Sequence, residues 1–182
     1  MLAFQSADYP KLRFGFPPLL RNACSKLLPT LEPMSTKLRE LHVEEHKIVC
    51  AWAMKENWPG LVKGEVLTHE DFPKILTLPG HLSFAMSEEE SSVLGFGQIW
   101  LSPNGKANLV RIIVDPAMRG RGFGKSLCSL LLAEALRIPN IAHVFLRVRR
   151  DNLSAVAVYR ALGFADIEGE SNANVLAMAY GL

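Results

Sequence analysis

Cysteine is scarce. Cys24, Cys50 and Cys128 are odd in number, far apart and never spaced Cys-x-x-Cys, which excludes a disulfide framework and leaves a zinc knuckle nothing to build on. A reducing compartment follows, and the chain is expected in the cytoplasm. Long apolar runs are also missing. The most apolar stretch, residues 126–138, is broken by Glu134 and Arg137 and falls short of the ~20 residues of a membrane span, so no membrane association is expected. Nor does one sign of charge dominate. Lys and Arg number 20 against 18 Asp and Glu, and the surplus sits in residues 1–33, where Lys11, Arg13, Arg21 and Lys26 face Asp8 and Glu32. The neutral remainder has one basic cluster, Arg147, Arg149 and Arg150. Nucleic-acid surfaces group cations against several phosphates, so no nucleic-acid partner is expected. With 13 Gly and 11 Pro in 182 residues, collagen-like repeats and wholesale disorder are excluded. The 49% of hydrophobic residues suffices for one ordinary core.

That core is assigned to residues 34–182. Pro10, Pro17, Pro18, Pro29 and Pro33 punctuate residues 1–33 and leave no helical or strand period, so this N-terminal extension reads as poorly ordered and dispensable. It lacks the apolar centre and cleavage pattern of a secretory signal. A weak organelle-targeting leader, or a functional start at Met34, would suit the same composition.

Further on, Leu38, Leu41 and Val43 predict a strand and residues 44–53 an amphipathic helix, broken by Trp58-Pro59-Gly60. A short second helix begins between Thr68 and Asp71, takes Pro73 in its first turn and stops before Pro79-Gly80. Residues 81–86, 93–101 and 107–114 are three β-rich runs, the last two joined by a tight hairpin at Asn104-Gly105. The period then turns helical, with Leu127, Leu130, Leu131 and Ala135 on one face up to about Pro139-Asn140. Residues 144–148 read as a buried strand, and Asn152 can cap a helix whose stripe is Ala155, Val158, Tyr159 and Leu162, with Gly163 as its left-handed C-terminal cap. Residues 164–168 and 175–179 close the chain as a hairpin. The order β-α-α-β-β-β-α-β-α-β-β describes an α/β fold, a mixed sheet with helices on both faces.

Chemistry concentrates in residues 110–126, VRIIVDPAMRGRGFGKS. A strand runs into Arg119-Gly120-Arg121-Gly122-Phe123-Gly124 and at once into a helix. Three glycines in five positions let the backbone turn tightly and bring N–H groups close to a ligand. The helix start adds unsatisfied donors and a partial positive charge, an anion cradle suited to a pyrophosphate. A glycine turn with no ligand is the plain alternative. A Walker A loop would need glycine where Arg119 stands, and the strand at 144–148 is followed by Arg149 rather than Asp. A dinucleotide fold needs Gly-x-Gly-x-x-Gly after the first strand, whereas this loop reads Gly-x-Gly-x-Gly and follows a meander. His42-Val43-Glu44-Glu45-His46 has the spelling of a zinc-protease class, but it sits at a strand–helix boundary with no third ligand in view, so no metal is expected.

Arg-x-x-Gly-x-Gly after a strand ending Val114-Asp115-Pro116, followed by Asn152, Ala155, Tyr159 and Gly163-Phe164, resembles the GNAT (N-acetyltransferase) superfamily. The likeness covers residues 37–182 and is strongest over residues 110–164. It implies a GNAT-like fold, with a central, mostly antiparallel twisted sheet, a splayed parallel strand pair and helices on both faces. Acetyl-CoA is implied as co-substrate, its pyrophosphate held by the main chain of Arg119, Gly120, Arg121, Gly122, Phe123, Gly124 and Lys125. Ile112, Ile113 and Val114 are implied to pair with the pantetheine arm as an added strand would, a backbone N–H near Val114 polarising the thioester carbonyl. Asn152 is a cofactor contact, an ordinary N-cap, or both. Tyr159 is implied as the catalytic residue that protonates the leaving thiolate; its alternative is a core aromatic that still needs a partner for its hydroxyl.

The activity so implied is transfer of an acetyl group to a primary amine of a small molecule or amino acid, by direct attack in a ternary complex. An acyl-CoA-binding regulatory module without turnover and a protein amine acetyltransferase are the alternatives. The general base is missing. Where the family's protein N-terminal branch carries a glutamate stands Arg147, and where many relatives carry a strand acid stands Asn108. Ordered water, Glu56, Glu65 or Asp71 could take its place. Arg111 and Arg147 suggest recognition of a carboxylate or phosphate on the acceptor, or else structural salt bridges. Trp58 and Trp100 could wall the acceptor pocket, with core packing the default for Trp100. Polyamine, amino acid, aminoglycoside and ribosomal-protein amine all stay open, a small amine or amino acid being preferred. On oligomeric state the sequence is silent, a homodimer being one option.

Overall fold

Strand-forming residues lay out most of the architecture. The computed structural model describes residues 36–55, 70–88 and 92–181; the extension expected over residues 1–33, and Trp58, Glu56 and Glu65, lie outside them. Strands β1 (Thr36–Arg39), β2 (His81–Glu88), β3 (Gly95–Leu101), β4 (Ala107–Val114), β5 (Val144–Arg149), β6 (Ala165–Asp166) and β7 (Val175–Tyr180) form one sheet in the order β1-β2-β3-β4-β5-β7-β6. Every neighbouring pair is antiparallel except β4 and β5. Helices α1 (His46–Lys55) and α2 (Phe72–Leu76) precede β2, α3 (Phe123–Leu136) crosses from β4 to β5, and α4 (Leu153–Ala161) follows β5. No helix among the described residues is long and apolar enough to cross a membrane.

The period of two sorts side chains between two cores. Phe84, Met86, Ile99 and Leu109 join Leu127, Leu131 and Val156 in the main core under α3 and α4. Ala85, Phe96 and Ile113 point the other way, to Val49, Cys50 and Phe72 of α1 and α2. Helix α3 lies close on β3 because Gly97 has no side chain. A Cβ there would come 2.5 Å from Leu131 Cδ1.

Two boundaries differ from the sequence expectation. The first strand ends at Arg39 rather than Val43, because the Arg39 guanidinium grips both carboxylate oxygens of Glu45 at 2.7 Å. The His42 N–H also donates to Glu45 Oε2 at 3.1 Å, which turns the chain into a 3-10 segment, Val43–Glu45, and leaves Val43 exposed. The Glu of the His-x-x-Glu-His spelling is thus engaged as an ion pair and cap. The closing hairpin shrinks on its first side to Ala165–Asp166. A 3-10 segment, Glu168–Glu170, follows, and Asn172 Oδ1 accepts the N–H groups of Asn174 and Val175.

Candidate active site

The parallel pair opens. Strands β4 and β5 pair from Ala107 with Val144 to Leu109 with Leu146 and no further. Strand β4 stays paired with β3 as far as Val114, and β5 with β7 as far as Arg149. One edge of β4 over residues 110–114, and one edge of β5 over residues 147–149, therefore have no ladder partner among the described residues. A bulge in β4 marks the point of divergence. Phe96 pairs with Ile113 and Gln98 with Val110, so Arg111 and Ile112 both stand opposite Gly97. Arg111 takes the left-handed φ of 52°. An extra residue of this kind bends its strand. It also resets the faces. Strict alternation from Leu109 would drive Arg111 into the main core; instead Ile112 packs there with Val114, and Ile113 joins the smaller core.

Beyond Val114, Asp115 Oδ1 accepts the Ala117 N–H at 2.9 Å and starts the 3-10 segment Pro116–Met118. Gly122, at φ 88°, is the N-cap of α3. The first N–H of that helix to find a carbonyl is that of Ser126, on Gly122 O at 3.1 Å, so those of Phe123, Gly124 and Lys125 point out of the helix end. A Cβ built on Gly120, Gly122 or Gly124 would meet no atom within 4 Å. Arg119, Arg121 and Lys125 are exposed around the loop, whereas the Phe123 ring is buried in the main core and presents only its main chain.

On the β5 side, Asn152 caps α4, its Oδ1 accepting the Ala155 N–H at 3.2 Å and the Ser154 hydroxyl at 3.1 Å. Tyr159 is 8% exposed and meets Phe164 edge to face at 5.9 Å. The Cys128 side chain of α3 lies near enough to act on it electrostatically. Burial holds the Tyr159 phenol well above its ordinary value and pushes the Cys128 thiol up to about 12. The apolar stripe read from the sequence passed over Cys128, although Cys128, Leu131, Leu132 and Ala135 stand at helical spacing and are all buried.

The α1/α2 face of the gap is polar. Arg111 Nη1 donates to Gln98 Oε1 at 2.9 Å. Gln98 is wholly buried, and its Nε2 donates to Ser83 Oγ at 2.8 Å and Ile75 O at 3.1 Å. Arg111 Nε is buried without a partner. His81 has Nδ1 3.0 Å from Pro79 O and stacks on Trp100, ring centroids 5.8 Å apart. Burial lowers the His81 pKa, and the nearby Arg111 charge adds to this. Asn108 Nδ2 donates to the backbone carbonyls of Trp100 and Lys106. Arg147 is exposed and turned to Glu170 O at 3.0 Å, so the fold keeps Arg111 in this cluster and leaves Arg147 out. Asp71 pairs with Lys74. Gln98 was not legible as a site residue, since a lone glutamine in an apolar strand carries no motif.

Residues 37–164 match the profile of the Acetyltransferase (GNAT) family. Mycothiol acetyltransferase of Saccharopolyspora erythraea is 36% identical over 78 residues, 43% of this chain and 25% of that protein. N-alpha-acetyltransferase RimI of Mycobacterium tuberculosis is 39% identical over 70 residues, 38% of this chain and 42% of that protein. The chain thus spans less than half the length of either relative. Among solved structures, the spermidine N-acetyltransferase from Vibrio cholerae in complex with CoA and spermine superposes with a TM-score of 0.65 at 18% identity, covering 79% of this chain and 94% of that one. A domain from Methanocaldococcus jannaschii reaches 0.67 at 14% identity, covering 81% and 99%. At these identities the structural likeness speaks for the fold.

Proposed function

The chain belongs to the acetyltransferase (GNAT) family, and from that membership we propose an acetyl-CoA-dependent N-acetyltransferase, acting in the cytoplasm on a primary amine of a small molecule or amino acid. One observation carries the reading: the unpaired edge of β4 leads, through Pro116–Met118, to a glycine loop where the N–H groups of Phe123, Gly124 and Lys125 point out of the helix end and a Cβ on Gly120, Gly122 or Gly124 would meet no atom within 4 Å. The residues present fit the co-substrate. The N–H groups of Phe123, Gly124 and Lys125, with the Arg121 and Lys125 charges, suit a pyrophosphate, and the edge at Ile112, Ile113 and Val114 suits an extended amide-bearing arm. Bound there, acetyl-CoA supplies an activated thioester.

The chain's own groups then divide the work. A main-chain N–H near Val114 polarises the thioester carbonyl; the neutral acceptor amine forms the new C–N bond, the C–S bond breaks to release the thiolate, and the proton the nitrogen sheds passes to solvent water. Tyr159 serves the sulfur. Its phenol, raised by burial, lies above a thiol near 8.5, so donating a hydrogen bond to the developing thiolate is favoured over outright proton transfer. A regulatory module that binds acyl-CoA without turnover is the second reading. It is favoured by Asn108 and Arg147, neither of which can take a proton from the amine.

Relatives whose names carry mycothiol, an N-alpha amine and spermidine do not agree on an acceptor, so the substrate is sought directly. Isothermal titration is expected to detect acetyl-CoA binding, and thiol release is expected to depend on added amine. Absence of binding overturns the assignment. Binding with amine-independent thiol release leaves the module.

A further inference from the structure

Resting on the acetyl-transfer reading, we propose that Arg111 recognises the acceptor, and that the acceptor amine carries a carboxylate which Arg111 grips on the α1/α2 face of the β4–β5 gap. The bulge places Arg111 there. Its left-handed backbone is unfavourable at a non-glycine residue, and without the bulge alternation would bury the guanidinium in the main core. Arg111 adjoins Ile112, so a group held by its side chain sits beside the strand edge that leads to the reacting carbonyl.

What Arg111 lacks among the described residues is a counter-charge. Arg39, Arg137, Arg149 and Arg160 pair with Glu45, Glu134, Asp151 and Asp166, and Arg147 and Arg150 rest on backbone carbonyls at the surface. Arg111 is half-buried, yet its one hydrogen bond among the described residues goes to the neutral Gln98, while Nε is enclosed without an acceptor. Leaving a partly desolvated cationic donor unpaired is costly. The arrangement is also rigid. Gln98 is fixed by Ser83 and Ile75 and so holds Nη1, leaving Nη2 without a hydrogen bond among the described residues. A guanidinium donor with no counter-charge is matched by a carboxylate, which brings both the acceptor and the charge. His81, on which the Arg111 charge acts, is biased toward its neutral form and brings no negative charge that would compete. A polyamine would instead set like charge against Arg111.

The test compares matched acceptors with the full chain and acetyl-CoA: an α-amino acid, its carboxamide, and spermidine. The acid is expected to exceed the carboxamide in kcat/KM by roughly 10- to 100-fold, the worth of a charge-assisted pair, mainly through the acceptor KM. Arg111→Gln is expected to bring the acid down to the level of the carboxamide, and Arg111→Lys to restore part of the preference. The proposal is overturned if acid and carboxamide react alike, if spermidine is the best of the three, or if Arg111→Gln slows acid and carboxamide equally, as a structural role would. Acetyl-CoA binding without acetylation of any amine would overturn the transferase reading, and this proposal with it. The preference of the unaltered protein stands as a test even where a variant fails to fold.

Discussion

Tyr159 of α4 and Cys128 of α3 are both buried in the main core, and each bears on the other's titration. Replacing Tyr159 with Phe removes the proposed donor to the sulfur and keeps the ring against Phe164. We expect kcat to fall roughly 100-fold, with the KM for acetyl-CoA within about two-fold, measured by steady-state kinetics. Unchanged turnover would return Tyr159 to the role of a core aromatic. The thiol makes a separate prediction in pH. Below its ordinary value of 9.0 Cys128 is protonated in both folded and unfolded chains and does not tilt the balance. Above it the unfolded thiol ionises, while the folded one keeps its proton to about 12. Stability is therefore lost as pH rises from 9 toward 12, by about 1.4 kcal/mol per pH unit for one such group. Urea midpoints at pH 8 and pH 10 measure that slope, and Cys128→Ala is expected to flatten it. Tyr159 was legible from its distance to Asn152 and Gly163-Phe164. The neighbouring Cys128 was not, because the two lie on separate helices and their nearness leaves no local trace.

At the scale of the element, β4 and its loop carry the candidate site, and two glycines near it do different work. Gly122 is held at φ 88° with open space around it. Gly122→Ala is expected to cost about 1 kcal/mol through backbone strain alone and to weaken acetyl-CoA binding, as the cradle's N–H groups shift. Calorimetric Kd and urea unfolding read the two effects. Gly97→Ala presses on Leu131 in the main core instead; roughly 1–3 kcal/mol of stability should be lost to overpacking, with the Kd little changed. A variant that altered the two quantities in the opposite pattern would undo this division of roles. The glycine loop could be read from sequence because its glycines answer to local φ and ψ. The bulge one strand earlier could not, since an extra residue exists only relative to the register of β3.

At the largest scale the described residues form a sheet covered on both faces, and its thinner cover is joined to the sheet's edge through Arg39 and Glu45. The Arg39 guanidinium holds the Glu45 carboxyl below its ordinary value of 4.5. Such a group contributes stability above its unfolded pKa, and that contribution is lost as pH falls through 4.5 toward the lower folded value. Thermal unfolding at pH 7 and pH 4 is expected to show a smaller acid loss in Glu45→Gln than in the parent chain; an equal loss would place the acid sensitivity elsewhere. The same pair explains why a spelling that suggested metal ligands became a strand-to-helix joint.

The amino-acid sequence alone determined the succession of strands and helices, the Asn152 cap, the hairpin at Asn104-Gly105 and the glycine loop at the mouth of α3. Each of these is decided by residues within about four positions of one another, through φ preference, side-chain-to-backbone bonds and apolar period. Only the tertiary structure decided that β4 parts from β5 after Leu109, that Arg111 turns away from the main core onto buried Gln98, and that Tyr159 finds Cys128. Those outcomes depend on strand register and on the packing of helices far apart in the chain, where the cost of leaving a buried polar group unpaired or a core overfilled is assessed by the whole fold.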